Sequence, residues 1–199
     1  GSSKGVFFHR ADLPAKPAAW DEIFLRTIGS PVPYGRQLNG MGGGVSSVSK
    51  AVIIGRPSRP DADVDYTFAQ VAVGAPKVDY ASNCGNLSSA VGPFAIDTGL
   101  MTRSLVKPGG KARQILIHNT NSGKIIRSTV PLEDGQARVE GEFEIPGVGG
   151  TGARIQLDFL DPGGTTTGAL LPTGNPVDTV TVDGAGEFEM SMVDSSVPC

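Results

Sequence analysis

An α+β fold, a mainly antiparallel, barrel-like sheet wrapped around a central apolar helix, is the architecture this 199-residue sequence predicts. Three observations point to it. The chain carries 28 glycines and 15 prolines, a turn-rich composition with roughly twice the usual glycine share that still falls short of the disordered range. Segments of alternating or continuous apolar character recur along its length, separated by Asn-, Gly- and Pro-rich turns. Near the middle, Ala90, Val91, Phe94 and Ala95 follow Leu87 at helical spacing and define one apolar face.

Taken in order, Val6-Phe7-Phe8-His9 reads as a short strand. Trp20, Ile23, Phe24 and Ile28 then recur at helical spacing, predicting a helix over 17–28 with Trp20 in the core and Gly29 as its stop. Pro31 and Pro33 open a loop that reaches Asn39-Gly40-Met41-Gly42-Gly43-Gly44, where the backbone can approach a ligand closely. Its spacing fits neither the P-loop nor the dinucleotide fingerprint. Lys50 opens the strand Ala51-Val52-Ile53-Ile54, and 65–73 alternates as another, with Tyr66, Phe68 and Val71 packing. In the helix from Leu87, Pro93 removes a backbone donor and predicts a kink or restart, with Gly99 near the C-cap. Strands are expected over 113–118, 123–130, 137–145, 154–160, 179–182 and 187–193, with 147–152 as a turn. Asp61, Asp63 and Asp65 alternate but lack the rest of a calcium loop, so a solvated strand edge is expected there.

The charge balance of 20 acidic against 17 basic residues gives a net −3, without the electrostatic footprint of a nucleic-acid binder or a polybasic membrane patch. With 39% hydrophobic residues and no long apolar run, the chain reads as a globular, cytoplasmic protein with no transmembrane span. Cys84 and Cys199 make neither a disulfide framework nor a metal cluster and are expected to be reduced. His9 and His118 sit in strand-like runs without companion metal ligands. Gly1 opens inside what reads as a binding motif and Cys199 ends the chain just after a strand-like run, so the chain is expected to be part of a longer one.

The segment with the most chemistry is Asn83-Cys84-Gly85-Asn86, at the foot of the apolar helix. First-turn N–H groups are unpaired and attract anions, and thiols in such settings exchange protons near neutrality. Proton abstraction beside a carboxylate needs a base and a positive field for the developing charge. Cys84 and Lys50 could supply them. Ser2-Ser3-Lys4-Gly5 joins hydroxyls, a cation and a glycine before a strand, which suits carboxylate binding.

Five separated blocks, Ser2-Ser3-Lys4-Gly5-Val6-Phe7-Phe8, Gly40-Met41-Gly42-Gly43-Gly44 with Ser49-Lys50, Arg59 to Tyr66, Asn83-Cys84-Gly85-Asn86-Leu87 and Leu170-Leu171-Pro172-Thr173-Gly174, together resemble the PrpF family in the same order. That family holds aconitate, methylaconitate and methylitaconate isomerases and oxalomesaconate tautomerase. The resemblance implies a diaminopimelate epimerase-like fold of two lobes, each a sheet around a central helix, with the active site between them. Residues 1–199 are then the N-terminal lobe, and a second lobe completes the site.

The resemblance further implies Lys50 and Cys84 as catalytic residues, Ser2, Ser3, Lys4, Asn83, Gly85 and Asn86 as substrate-binding residues, and a small polycarboxylate as substrate. The implied reaction moves an allylic proton and requires no redox or metal cofactor. Which of Lys50 and Cys84 gives and which takes the proton is left open by the residues, as is a homodimer. Two other readings stand beside it: tautomerisation of oxalomesaconate, and a non-catalytic accessory role for an aconitase-like hydratase.

Overall fold

The structure, a computed structural model, describes residues 2–100, 110–195 and 197–198. Cys199 and Gly1 lie outside the described residues. The strands, in chain order, are β1 (Gly5–His9), β2 (Lys50–Gly55), β3 (Val64–Val71), β4 (Val78–Asp79), β5 (Ala112–Asn119), β6 (Lys124–Glu133), β7 (Gln136–Ala137), β8 (Phe143–Glu144), β9 (Thr151–Gly152), β10 (Gln156–Phe159), β11 (Asp178–Val182), β12 (Gly186–Met190), β13 (Asp194–Ser195) and β14 (Val197–Pro198). The helices are α1 (Trp20–Ile28), α2 (Gly85–Ser88) and α3 (Val91–Asp97).

One curled sheet runs β1-β2-β3-β5-β6-β10, with β4 added to β3 and β7 to β6. Most of its pairings are antiparallel, as expected, but β1 runs parallel to β2 and β3 parallel to β5. The reason is in the connections. α1 and its loop carry the chain from β1 to β2, and α2 and α3 lie between β3 and β5, the long crossovers that parallel neighbours require.

The middle strands have two apolar faces. Val52 and Ile54 of β2, with Tyr66 and Phe68 of β3, face Leu87, Val91 and Ala95 of the central helices. Ala51, Ile53, Ala69 and Val71 project the other way onto Trp20, Phe24 and Ile28 of α1. Alternate residues on a strand point to opposite faces, so β2 is buried at all its positions. This explains why its sequence is a continuous apolar run. α1 ends at Gly29, whose φ of 84° is the left-handed conformation that glycine adopts without strain. The second expected helix breaks into α2 and α3. The restart comes at Val91, which places Pro93 within the first turn of α3, where its missing N–H costs nothing.

Two expectations are corrected. The stretch 137–145 forms no continuous strand: only β7 and β8 remain, the latter paired with β9 across the 147–152 turn. Arg138, Glu140 and Glu142 alternate with a Val139 that stays 80% exposed, so no apolar face is available to hold a longer strand. Asp63 is also not at a solvated edge. It is buried, its Oδ2 accepting from the Leu116 N–H at 2.8 Å while its own N–H donates to the Leu116 carbonyl at 2.7 Å. The carboxylate stands in for a backbone partner where β3 begins to pair with β5. Asp65 meets His118 Nδ1 at 2.9 Å across the same seam, and the His9 ring packs on Phe94, so each histidine has a structural neighbour.

Candidate active site

Lys50 and Cys84, 34 positions apart in sequence, meet with the lysine Nζ 3.4 Å from the thiol Sγ. Three local arrangements bring this about. Lys50 starts β2, between Gly5 on β1 and Gln70 on β3. Cys84 caps the single turn of α2, with its carbonyl accepting from the Ser88 N–H at 3.0 Å and the Ser88 hydroxyl at 2.9 Å. Gly5 lets this turn sit directly on the β1–β2 seam, since a Cβ there would lie 2.9 Å from Leu87 Cδ2 and 3.1 Å from the Lys50 carbonyl.

Both reacting candidates are nearly enclosed, at 8% exposed for Lys50 and 9% for Cys84. The ammonium lies 5.2 Å from the Phe68 ring centroid, within reach of a cation–π attraction. The Ser3 hydroxyl is 3.8 Å from Sγ, and Ser3 is half-buried beside the thiol. Ser2 and Lys4 are exposed; Lys4 is held through its backbone, which donates to the Ser47 carbonyl at 3.0 Å. Gly85 and Asn86 face solvent beside Cys84, whereas Asn83 is half-buried, its Oδ1 accepting from Asn119 Nδ2 at 3.4 Å. The structure thus gathers Lys50, Cys84 and Ser3 at one point, with the neighbouring Asn83 amide turned to Asn119 and Ser88 and Gly85 and Asn86 exposed beside them.

Sequence reasoning overlooked a second layer of residues. Asn119 ends β5 and Asn121 sits just beyond it, both bonding to backbone groups of neighbouring segments. Asn121 accepts from the Phe68 N–H at 2.7 Å and donates to the Phe68 and Tyr80 carbonyls at 2.9 and 2.8 Å. The run Asn119-Thr120-Asn121-Ser122 was legible as a turn, but not as a brace for Asn83. Tyr66 is fully buried near the Cys84–Ser88 turn. Burial pushes its phenol well above the usual tyrosine range; Ser88 and the Cys84 backbone temper that push, although no hydrogen bond of good geometry forms there.

Chemically, the arrangement offers an amine and a thiol in contact, one hydroxyl beside the sulfur, and the exposed first two residues of α2, Gly85 and Asn86. Such a set can move a proton at the edge of a bound anion. Among the described residues no helix is long and apolar enough to cross a membrane.

Comparison with known proteins follows the same lines. A family model described as PrpF protein matches residues 1–199. The 2-methyl-aconitate isomerase of Cupriavidus necator is 45% identical over 205 residues, covering 100% of this chain and 52% of the relative. The 3-methylitaconate isomerase of Eubacterium barkeri is 47% identical over 199 residues, covering 100% and 50%. Among solved structures, the crystal structure of methylitaconate-delta-isomerase matches with a TM-score of 0.83 at 45% identity, over 100% of this chain and 49% of that one. The chain spans about half the length of the curated relatives it matches.

Proposed function

The chain belongs to the PrpF family, and on that premise we propose that it forms the N-terminal lobe of a cofactor-independent isomerase. The substrate is a small unsaturated tricarboxylate of the cis-aconitate or 2-methylaconitate type. The observation that carries this reading is the 3.4 Å contact between Lys50 Nζ and Cys84 Sγ inside a chain whose relatives include an isomerase named for 2-methyl-aconitate, a tricarboxylate, and one named for 3-methylitaconate, a dicarboxylate.

In the proposed reaction a base removes a proton from the CH2 beside a carboxylate, the electron pair spreads through the alkene, and a proton returns at another carbon. Lys50 is the preferred base and Cys84 the partner acid. Holding them in contact spares the reaction the entropy of assembling them. The Gly85 and Asn86 N–H groups, with the Asn86 amide, hold a substrate carboxylate and the dienolate charge; one such donor is typically worth about 3 to 4 kcal/mol of barrier. Ser2, Ser3, Lys4 and Asn83 complete the carboxylate pocket, and a second lobe supplies the opposite wall.

The test follows cis-aconitate, 2-methylaconitate and oxalomesaconate by proton NMR in D2O, with this chain joined to the remaining half found in its relatives and Cys84→Ser as control. New vinyl signals with deuterium in the product, absent in the variant, are expected for one of the first two acids. Conversion of oxalomesaconate alone would reassign the enzyme to tautomerisation. No conversion of any of the three would sink the isomerase reading and favour an accessory role.

A further inference from the structure

We propose that Gln37 is a positioning residue for Lys50, joining the glycine-rich loop to the strand that carries the lysine through one buried amide. Gln37 is 1% exposed, a rare state for a glutamine, and such a group must be hydrogen-bonded to avoid a desolvation penalty. Its Oε1 accepts from the Gly44 N–H at 2.8 Å and lies 2.7 Å from the Ser49 hydroxyl, which shares its one proton between this oxygen and the Val45 carbonyl at 2.8 Å, and its Nε2 donates to the Ser30 hydroxyl at 2.7 Å. The Gly44 N–H can only donate, which fixes the orientation of the amide.

These partners lie at three places: the start of the loop that follows α1, the glycine loop and the residue immediately before Lys50. Ser49 is wholly buried, and its carbonyl accepts from the Val71 N–H at 3.1 Å and from Gln70 Nε2 at 3.0 Å. Its position therefore sets where β2 begins and from where the Lys50 side chain leaves the strand. The glycine loop is fitted to the same amide: a Cβ on Gly42 would collide with Gln37 Oε1 and would lie 2.8 Å from the Ile28 carbonyl. The loop then runs past Lys4, whose Nζ is 4.0 Å from where a Gly43 Cβ would stand. One side chain ties the glycine loop to the residue before the lysine without touching the reacting atoms.

This inference rests on the reading of Lys50 and Cys84 as the reacting pair. Its test reads the thiol and not turnover, so the two can fail separately. The rate of Cys84 alkylation by iodoacetamide is measured in the chain near neutral pH, resolved by peptide mass so that Cys199 is scored apart. Lys50→Met removes the cation beside the sulfur and slows the reaction. Gln37→Leu is expected to slow it by roughly threefold or more, and to add nothing in the Lys50→Met background, because coupled neighbours fail to add. A merely loosened core would instead expose the thiol and speed its alkylation in both backgrounds. Should Gln37→Leu fail to fold, Ser49→Ala carries the same cycle by removing the link next to Lys50. An unchanged rate, or an equal change with and without Lys50, would overturn the proposal.

Discussion

Residues 5–100 with 110–133, and residues 138–195, are packed by different means. In the first region β2 is buried at every position between two apolar layers, and nearly all of the large buried side chains belong to it. In the second, β12 is exposed at all five positions, and Val182, Phe188 and Met190 are 46%, 50% and 44% exposed. Within the second region β10 pairs with β6 and sets Leu157 and Phe159 against the core, whereas the rest is held by the short β8–β9 and β11–β12 pairings and by hydrogen bonds that converge on Asp194. Its carboxylate accepts from the Thr166 and Thr167 N–H groups at 2.8 and 2.7 Å and from the Thr165 and Thr167 hydroxyls at 3.0 and 2.9 Å. Lys50 and Cys84 stand in the region whose backbone is fixed by burial on both faces. A proton transfer that depends on a 3.4 Å contact needs such a frame, since catalytic groups must be held to within a fraction of an ångström.

The comparison can be broken most severely at its chemical centre. Under the proposed reaction, Lys50→Ala and Cys84→Ser should each lower turnover of this chain joined to the remaining half found in its relatives at least about a hundredfold, the range for loss of a general acid or base, with melting temperatures close to the parent's. Steady-state kinetics beside calorimetry checks this. Next in size is damage to the frame. Ile54 is fully buried, and Ile54→Ala should cost about 2 to 5 kcal/mol, seen in urea titration as a lower midpoint with an unchanged slope.

The second region should respond locally. The Thr167 N–H, with help from Thr166 and the threonine hydroxyls, holds the Asp194 carboxyl at a pKa of about 2. A group depressed in this way contributes stability that is complete above the ordinary carboxylate range, near 3.9, and is lost as pH falls through about 2. Amide resonances of Thr166 and Thr167 should therefore stay fixed from pH 7 to 4 and move only on further acidification. Asp194→Ala should release 163–167 at neutral pH while β2 keeps its exchange protection. The smallest effect belongs to the β11–β12 hairpin, where Phe188→Ser should change stability by less than about 0.5 kcal/mol, as exposed substitutions do. A larger loss would show that this face is packed against something.

Much of the fold was legible because burial writes itself into the pattern. The run Ala51-Val52-Ile53-Ile54 had to be a buried strand, and Trp20, Phe24 and Ile28 had to face a core. The stretch 137–145 misled because alternation of charge with single apolar residues looks the same whether or not a partner face exists. Asp63 misled because a buried aspartate that replaces a backbone acceptor carries no local signature; its partner, Leu116, is 53 positions away. In the site, Cys84 and Lys50 stood out by residue type and by resemblance, but their contact depends on β1, β2 and α2 meeting at Gly5. Gln37 was invisible for the same reason, since its three partners come from separate turns.

The most direct test of the central claim is the rate at which solvent deuterium enters the substrate's allylic CH2, followed by NMR in the joined two-lobe protein and in its Lys50→Ala and Cys84→Ser variants, with substrate binding measured alongside. If the two residues move the proton, exchange falls at least about a hundredfold in both variants while substrate still binds. Exchange at near-parental rates in either variant would show that the 3.4 Å pair is a structural contact and that the proton travels by another route.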